Sequence, residues 1–130
     1  MAGEPKLLVV EDDPDIANAL ATYGRHKGYT ALIADNGLKA IELAEAEQPD
    51  VILLDISLPG MDGRDVMVQL KAKGVADRAI VIFVSARDSQ TDRLLGLELG
   101  ADDYEAKPLV FSTLFQKIEK LRKKRSCGEI

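Results

Sequence analysis

Five short apolar runs alternate with five segments of helical periodicity along this chain. A short apolar run between turn residues is typical of a buried strand, and apolar residues spaced three or four apart are typical of an amphipathic helix. Alternation of the two predicts an α/β domain with a five-stranded parallel sheet. Right-handed crossovers would place five helices on both faces of that sheet. The predicted strands occupy residues 6–10, 29–34, 51–54, 79–84 and 103–106.

Helix signals fill the intervals between the strands. Asp13 followed by Pro14 is typical of an N-cap with proline at the first helical position, and this helix is predicted to reach Gly28. The other helices are predicted at residues 38–47, around 66–70, at 89–100 and at 109–124. No linker or repeat separates these elements. They therefore predict a single domain over residues 1–130, with its core at about 5–124 and a tail at 125–130.

Composition limits where the chain works and what it binds. No apolar stretch approaches the roughly 20 residues of a membrane helix, and residues 1–5 lack the features of a secretory signal. Cys127 is the only cysteine, which fits a cytoplasmic location. Residues 117–125 carry six basic side chains against Glu119, so the net charge of −5 leaves −10 on the remainder. An acidic body argues against direct nucleic-acid binding, and no membrane partner is expected.

Polar side chains follow four of the predicted strands at the point where each strand ends. The first strand is followed by Glu11, Asp12 and Asp13, the third by Asp55, the fourth by Ser85 and the fifth by Lys107. The carboxyl ends of parallel strands share one edge of the sheet, where open α/β sheets bind ligands. The acids after the first and third strands can meet only if those strands are neighbours, which favours the order 2-1-3-4-5.

Two or three carboxylates at one edge repel each other unless a cation lies between them. Oxygen ligands with room for water suit Mg²⁺. Such an ion would hold phosphate oxygens and leave Asp55 free to attack phosphorus, forming an acyl phosphate. Lys107 would supply a positive charge and Ser85 a hydroxyl donor to that dianion. The plainer alternative is that Asp12 and Asp13 only cap the first helix while Asp55 begins a turn.

Four segments carry a resemblance to a known family: residues 7–13 (LLVVEDD), 51–63 (VILLDISLPGMDG), 84–86 (VSA) and 100–108 (GADDYEAKP). Together and in this order they resemble the receiver domain of two-component response regulators, over about residues 5–124. The resemblance implies a flavodoxin-like fold. It also implies phosphoryl transfer to Asp55 from the phosphohistidine of a sensor histidine kinase or a phosphotransfer protein. The chain would be a signalling switch rather than an enzyme, catalysing only its own phosphorylation and slow dephosphorylation.

The resemblance assigns roles to the residues of the predicted edge. Asp12, Asp55 and the backbone carbonyl of Ser57 would bind Mg²⁺, with Glu11 supporting them partly through water. Lys107 would pair with the phosphoryl group.

The same resemblance implies a conformational switch. Ser85 would move towards the phosphoryl group, and Tyr104 would then turn inward. The bond between Lys107 and Pro108 is a candidate cis peptide. We expect Ser57 and Arg87, each two residues beyond a site residue, to tune the phosphoryl lifetime by controlling access of water.

Residues 92–104 are similar to receivers that precede winged-helix DNA-binding domains and dimerise when active. That similarity implies salt bridges across a face formed by the fourth predicted helix, the fifth strand and the fifth helix. This face would also contact a downstream target or an output domain. Four residues fit the pattern: Arg93, Glu98, Asp103 and Lys117. Thr113 replaces the acid expected to meet Arg93, and Glu119 replaces the base expected to meet Glu98, so a homodimer stays open.

Three other functions stay open on sequence alone. An aspartate-nucleophile phosphohydrolase usually carries a second acid where this chain has Ser57. A flavin or nucleotide binder would need a glycine- or hydroxyl-rich loop where residues 11–15 read EDDPD. A pseudo-receiver would bind partners without phosphorylation. His26, the only histidine, is predicted away from the edge, so the phosphoryl donor must be another protein. We expect a free-standing regulator, with the receiver part of a longer protein as the alternative.

Overall fold

Five parallel strands pair side by side in the computed structural model, which describes residues 3–86 and 90–126. They are β1 (Lys6–Val10), β2 (Thr30–Ala34), β3 (Val51–Asp55), β4 (Ile80–Ser85) and β5 (Asp103–Ala106). Their order is β2-β1-β3-β4-β5, which confirms the predicted neighbourhood of the first and third strands. Because β1 lies between β2 and β3, successive crossovers run in both directions from it and cover both faces of the sheet.

Six helices, rather than the predicted five, lie in the described residues. They are α1 (Pro14–His26), α2 (Gly37–Glu47), α3 (Gly63–Ala72), α4 (Val75–Arg78), α5 (Gln90–Glu98) and α6 (Phe111–Ser126). The missed helix, α4, is a single turn that begins after Gly74, whose φ of +79° lets the chain change direction. One turn is too short to show a helical period in the sequence. None of the described helices is both long and apolar enough to span a membrane.

The side chains of each strand alternate between two cores. Leu8, Ile52 and Phe83 belong to the core that α2, α3 and α5 cover, whereas Leu7 and Leu53 belong to the core under α1 and α6. All five are at most 1 % exposed. Both faces of β1, β3 and β4 are therefore buried, as the unbroken apolar runs predicted.

The helix that follows β1 begins where the sequence predicted. Asp13 is the N-cap, and its carboxylate accepts hydrogen bonds from the backbone N–H groups of Asp15 and Ile16. Pro14 occupies the first turn, where a missing N–H costs no helical hydrogen bond. The cap fixes the path of the chain directly after Glu11 and Asp12, and so it also positions the acids at the end of β1.

A cluster around Tyr29 joins α6 to the start of β2. The Tyr29 hydroxyl donates to a Glu119 carboxylate oxygen at 2.7 Å and accepts from the Arg122 guanidinium at 3.2 Å. The Arg122 guanidinium also lies over the Tyr29 ring, 5.4 Å from its centroid. Glu119 therefore finds partners within its own chain rather than standing as an unpaired acid.

The Tyr29 cluster predicts a loss of stability at alkaline pH. Burial, reinforced by the hydrogen bond to Glu119, raises the pKa of Tyr29 to about 12 from 10.0. The folded chain thus holds a proton that the unfolded chain loses first, so the free energy of unfolding should fall by up to about 2 kcal/mol as pH rises from 10 to 12. Urea unfolding across this range should show a shallower decline for Tyr29→Phe. Tyr23→Phe is the control and should keep the wild-type slope; equal slopes for all three proteins would contradict the assignment.

Candidate functional site

The register of the sheet brings the acids of two strands together. Val10 pairs with Leu54, so the next residues along β1 and β3, Glu11 and Asp55, come side by side at the carboxyl edge. Glu11 is 3 % exposed and Asp55 is 4 % exposed, although carboxylates are seldom buried without a partner. The predicted meeting of these acids is confirmed.

Lys107 reaches the same edge from the far side of the sheet. Ser85 pairs with Ala106, and the backbone N–H of Lys107 donates to the Ser85 carbonyl at 2.8 Å. The peptide bond between Lys107 and Pro108 is cis, as predicted. These contacts hold the end of β5 beside the end of β4, so Lys107 lies next to Ser85, the last residue of β4.

The Lys107 ammonium joins the two buried carboxylates. Its Nζ donates to Glu11 Oε1 at 2.7 Å and to Asp55 Oδ2 at 2.9 Å. Burial lowers the pKa of Lys107, but the hydrogen bonds to Asp55 and then to Glu11 outweigh that effect, so its pKa is raised above the ordinary value. Lys107 therefore stays charged and compensates two acids that would otherwise repel each other.

The remaining acceptors of the two carboxylates are also engaged. Asp55 Oδ1 accepts from the backbone N–H of Ser57 at 2.9 Å, and Glu11 Oε2 accepts from that of Asp13 at 3.1 Å. These short-range bonds hold each carboxylate in a fixed orientation. The Asp55 carboxylate therefore has one oxygen on a backbone donor and the other on an ammonium.

Three acids form a group that fits a hard divalent cation. Glu11, Asp12 and Asp55 each place one carboxylate oxygen within 4.8 Å of the others, and Asp12 is exposed. Oxygen donors with an open, water-accessible side are what Mg²⁺ takes in proteins. An ion there would relieve the crowding of three negative charges around one ammonium.

The other predicted site residues differ in their position and in their exposure to solvent. Ser85 ends β4 and is fully buried, whereas Ser57 is exposed, two residues after the end of the strand that carries Asp55. Tyr104 lies inward on β5, 1 % exposed, with its ring centroid 6.5 Å from that of Phe83. Arg87 lies outside the described residues.

Two of the charges predicted for a dimer face, Asp103 and Lys117, pair with each other within the chain. Lys117 forms ion pairs with Asp103, at 3.2 Å, and with Glu105. Glu119 faces Tyr29 and Arg122 at the other side of α6. These contacts do not decide the oligomeric state, which stays a prediction.

Sequence reasoning missed an apolar groove beside the acids. A cavity of about 600 Å³ lies between α1 and the segment after β5, with Ile16, Ala19, Pro108 and Leu109 among its lining residues and Lys107 at its edge. The apolar residues directly after Lys107 were the signal that could have found the groove, since a loop at a polar edge has no local need of them.

Replacing Lys107 should leave two buried carboxylates without their cation. We expect Lys107→Met to lower the free energy of unfolding by about 3 kcal/mol near neutral pH, because removing one partner of a buried pair leaves uncompensated charge. Millimolar Mg²⁺ should restore part of that loss by binding the folded acids. Urea unfolding with and without Mg²⁺ measures both effects.

Lys117→Met is the matched control for that substitution. Lys117 also joins two acids, but its side chain is 33 % exposed, so the loss should stay below about 1 kcal/mol and should not respond to Mg²⁺. Equal losses in the two variants, or a Lys107→Met loss that Mg²⁺ leaves unchanged, would contradict the geometry described above.

A family model and curated relatives both match most of this chain. The family model described as response regulator receiver domain matches residues 7–119. Sensory transduction protein RegX3 of Mycolicibacterium smegmatis is 43 % identical over 112 residues, which cover 86 % of this chain and 48 % of that protein. RegX3 of Mycobacterium tuberculosis H37Rv is 42 % identical over the same shares. The chain thus spans about half the length of the curated relatives it matches.

Solved structures extend the likeness to the fold. The receiver domain of the Francisella response regulator 1452 is 32 % identical with a TM-score of 0.86, covering 93 % of this chain and 98 % of that one. The receiver domain of sensor histidine kinase PA1611 from Pseudomonas aeruginosa PAO1 is 31 % identical with a TM-score of 0.81, covering 92 % and 97 %. That structure has a magnesium ion coordinated in its active site cleft.

Proposed function

This chain belongs to the response regulator receiver domains of two-component signalling, and we propose that Asp55 is its phosphoryl acceptor. One observation carries the proposal. The Asp55 carboxylate ends β3 with Lys107 on one oxygen and a backbone N–H on the other, while Glu11 and Asp12 lie within 4.8 Å. A nucleophile needs this combination of fixed orientation and charge neutralisation if it is to approach an anionic phosphoryl group.

We infer that the three acids hold Mg²⁺. Asp12, Asp55 and the backbone carbonyl of Ser57 would be the direct ligands, with Glu11 acting through water. When bound, Mg²⁺ supplies positive charge to the phosphoryl oxygens and lowers their repulsion with the carboxylates. The magnesium ion in the PA1611 receiver domain supports this assignment.

The transfer step follows from the position of Asp55. A carboxylate oxygen of Asp55 attacks phosphorus, the bond between phosphorus and the donor's imidazole nitrogen breaks, and the imidazole takes the electron pair. The product is an acyl phosphate on Asp55. Lys107 then exchanges its contact with the free carboxylate for one with the phosphoryl oxygens, as a mobile point charge can. The same groups would allow slow hydrolysis by water, so the chain acts as a switch and not as a turnover enzyme.

We propose that Ser85 and Tyr104 transmit the change. Ser85 would donate its hydroxyl to the phosphoryl group, and the buried orientation of Tyr104 would be favoured at the same time. Ser57 and Arg87 would set the phosphoryl lifetime by controlling how water reaches Asp55. Phosphorylation would thereby change the surface formed by α5, β5 and α6 through a local change in charge and hydrogen bonding.

We propose a binding partner for each of two surfaces of the domain. The groove of Ile16, Ala19 and Leu109 lies beside Lys107 and would receive the sensor histidine kinase or phosphotransfer protein that carries the phosphohistidine. The face of α5, β5 and α6 would contact a downstream target, an output domain or a second receiver. We propose that residues 1–130 act as one receiver domain in the cytoplasm, without direct contact to nucleic acid or membrane.

Intact-mass analysis with a small acyl-phosphate donor tests the acceptor. Wild-type protein should gain one phosphoryl group with Mg²⁺ and much less with a chelator. Borohydride reduction of the acyl phosphate followed by peptide mapping should place the group at Asp55. An adduct at another residue would overturn the assignment. No adduct on folded protein under any condition would make the chain a pseudo-receiver that binds partners constitutively.

A further inference from the structure

The inward orientation of Tyr104 depends on a glycine in the helix that packs against it. A Cβ added to Gly96 would lie 3.0 Å from Phe83 Cδ2 and 3.2 Å from Tyr104 Cδ2. Gly96 itself is buried in α5, and a glycine inside a helix costs about 1 kcal/mol relative to alanine. A destabilising residue at this position is explained by the space that it leaves for the two rings.

Arg93, one turn earlier on α5, holds the same tyrosine in two ways. Its Nη1 donates to the backbone carbonyl of Tyr104 at 3.3 Å, and its guanidinium carbon lies 5.4 Å from the centroid of the Tyr104 ring. The first contact fixes the strand and the second covers the ring with a cation, an arrangement worth about 1 kcal/mol in partly buried sites. Arg93 thus contacts the residue that the switch moves.

The two rings lie on strands with different surroundings. Phe83 is fully buried on β4, which has a neighbouring strand on each side. Tyr104 is 1 % exposed but lies on the edge strand β5, which has a neighbouring strand on one side only. A methyl group at position 96 should therefore displace Tyr104 rather than Phe83.

We propose that Gly96 and Arg93 are positioning residues that set the balance between the inward and outward orientations of Tyr104. The inference rests on the proposed role of Tyr104 in the switch. Gly96 provides the space, Phe83 forms its fixed wall, and Arg93 closes over the ring. If the inward orientation and phosphorylation of Asp55 favour each other, a change that drives Tyr104 outward must disfavour phosphorylation, by at most the coupling free energy between the two.

Fluorine NMR of protein labelled with 3-fluorotyrosine tests this proposal directly. The chain has three tyrosines, so the Tyr104 signal can be assigned by its absence in Tyr104→Phe. In Gly96→Ala and in Arg93→Ala, that signal should move towards the solvent-exposed position and become more sensitive to exchange of H₂O for D₂O. The rate of adduct formation with the small donor should fall about threefold or more in both variants.

Gly24→Ala is the matched control, since its added Cβ would crowd Leu7 Cδ2 at 2.6 Å in another helix. It should lower stability without moving the Tyr104 signal. A Tyr104 signal unchanged in folded Gly96→Ala and Arg93→Ala would overturn the proposal, as would an equal shift in Gly24→Ala. Failure of the wild type to form an adduct would instead overturn phosphorylation at Asp55, because the NMR comparison needs no phosphoryl group.

Discussion

Asp55→Asn should lose phosphoryl adduct formation by at least about 100-fold, the loss expected when the nucleophile of a covalent step is removed. An amide nitrogen and a neutral carbonyl oxygen cannot form the acyl phosphate. The fold should persist, because the new carbonyl oxygen can still accept from the Ser57 N–H and Lys107 keeps its bond to Glu11. Mg²⁺ binding, followed by calorimetry, should weaken by about tenfold, since one of three carboxylates is gone.

Asp15→Asn separates this effect from a simple change of charge. Asp15 is exposed in the first turn of α1 and lies outside the group of acids that fits Mg²⁺. The variant loses the same unit of charge close to the same edge. Its adduct yield and Mg²⁺ affinity should stay within about twofold of wild type, as expected for a screened surface charge. Full adduct formation in Asp55→Asn, or equal losses in both variants, would contradict Asp55 as the acceptor.

The parts of the site that were predictable depend on one geometric rule. The carboxyl ends of parallel strands meet at one edge, so Glu11, Asp55, Ser85 and Lys107 could be grouped from their positions after apolar runs. The chemistry then selected the strand order, because the two acids could meet only if β1 and β3 were neighbours. Sequence pattern and site chemistry constrained each other here, although neither was sufficient alone.

The parts that were not predictable depend on contacts between distant elements. Arg93 lies over Tyr104, and Tyr29 bonds to Glu119 across 90 positions of the chain. A period of 3.6 or 2 residues predicts which face of an element is buried but does not give the partner that lies opposite each side chain. Glu119 shows the consequence. The resemblance identifies it only as a departure from a dimer pattern, and the fold adds its pairing with Tyr29 and Arg122.

Gly63→Ala should be among the most damaging single substitutions in this chain. A Cβ at Gly63 would lie 2.2 Å from the Asp55 carbonyl oxygen and 2.7 Å from Ile56 Cα. These are backbone atoms at the end of β3, and the Ile56 carbonyl already accepts the Gly63 N–H at 2.8 Å. No side-chain rotation relieves such a contact, so α3 must separate from β3. We expect a loss of about 3 kcal/mol or more in the free energy of unfolding.

Gly60→Ala supplies the comparison within the same loop. Gly60 has φ +79° but no atom within 4 Å of an added Cβ, so alanine there should cost only about 1 kcal/mol of backbone strain. The difference between the variants measures the close approach of α3 to the acceptor strand. Because the carbonyl that Gly63 crowds belongs to Asp55 itself, folded Gly63→Ala should also form adduct more slowly than Gly60→Ala. Equal stability and equal rates in the two variants would show that the loop adapts, and that the position of Asp55 does not depend on a glycine at residue 63.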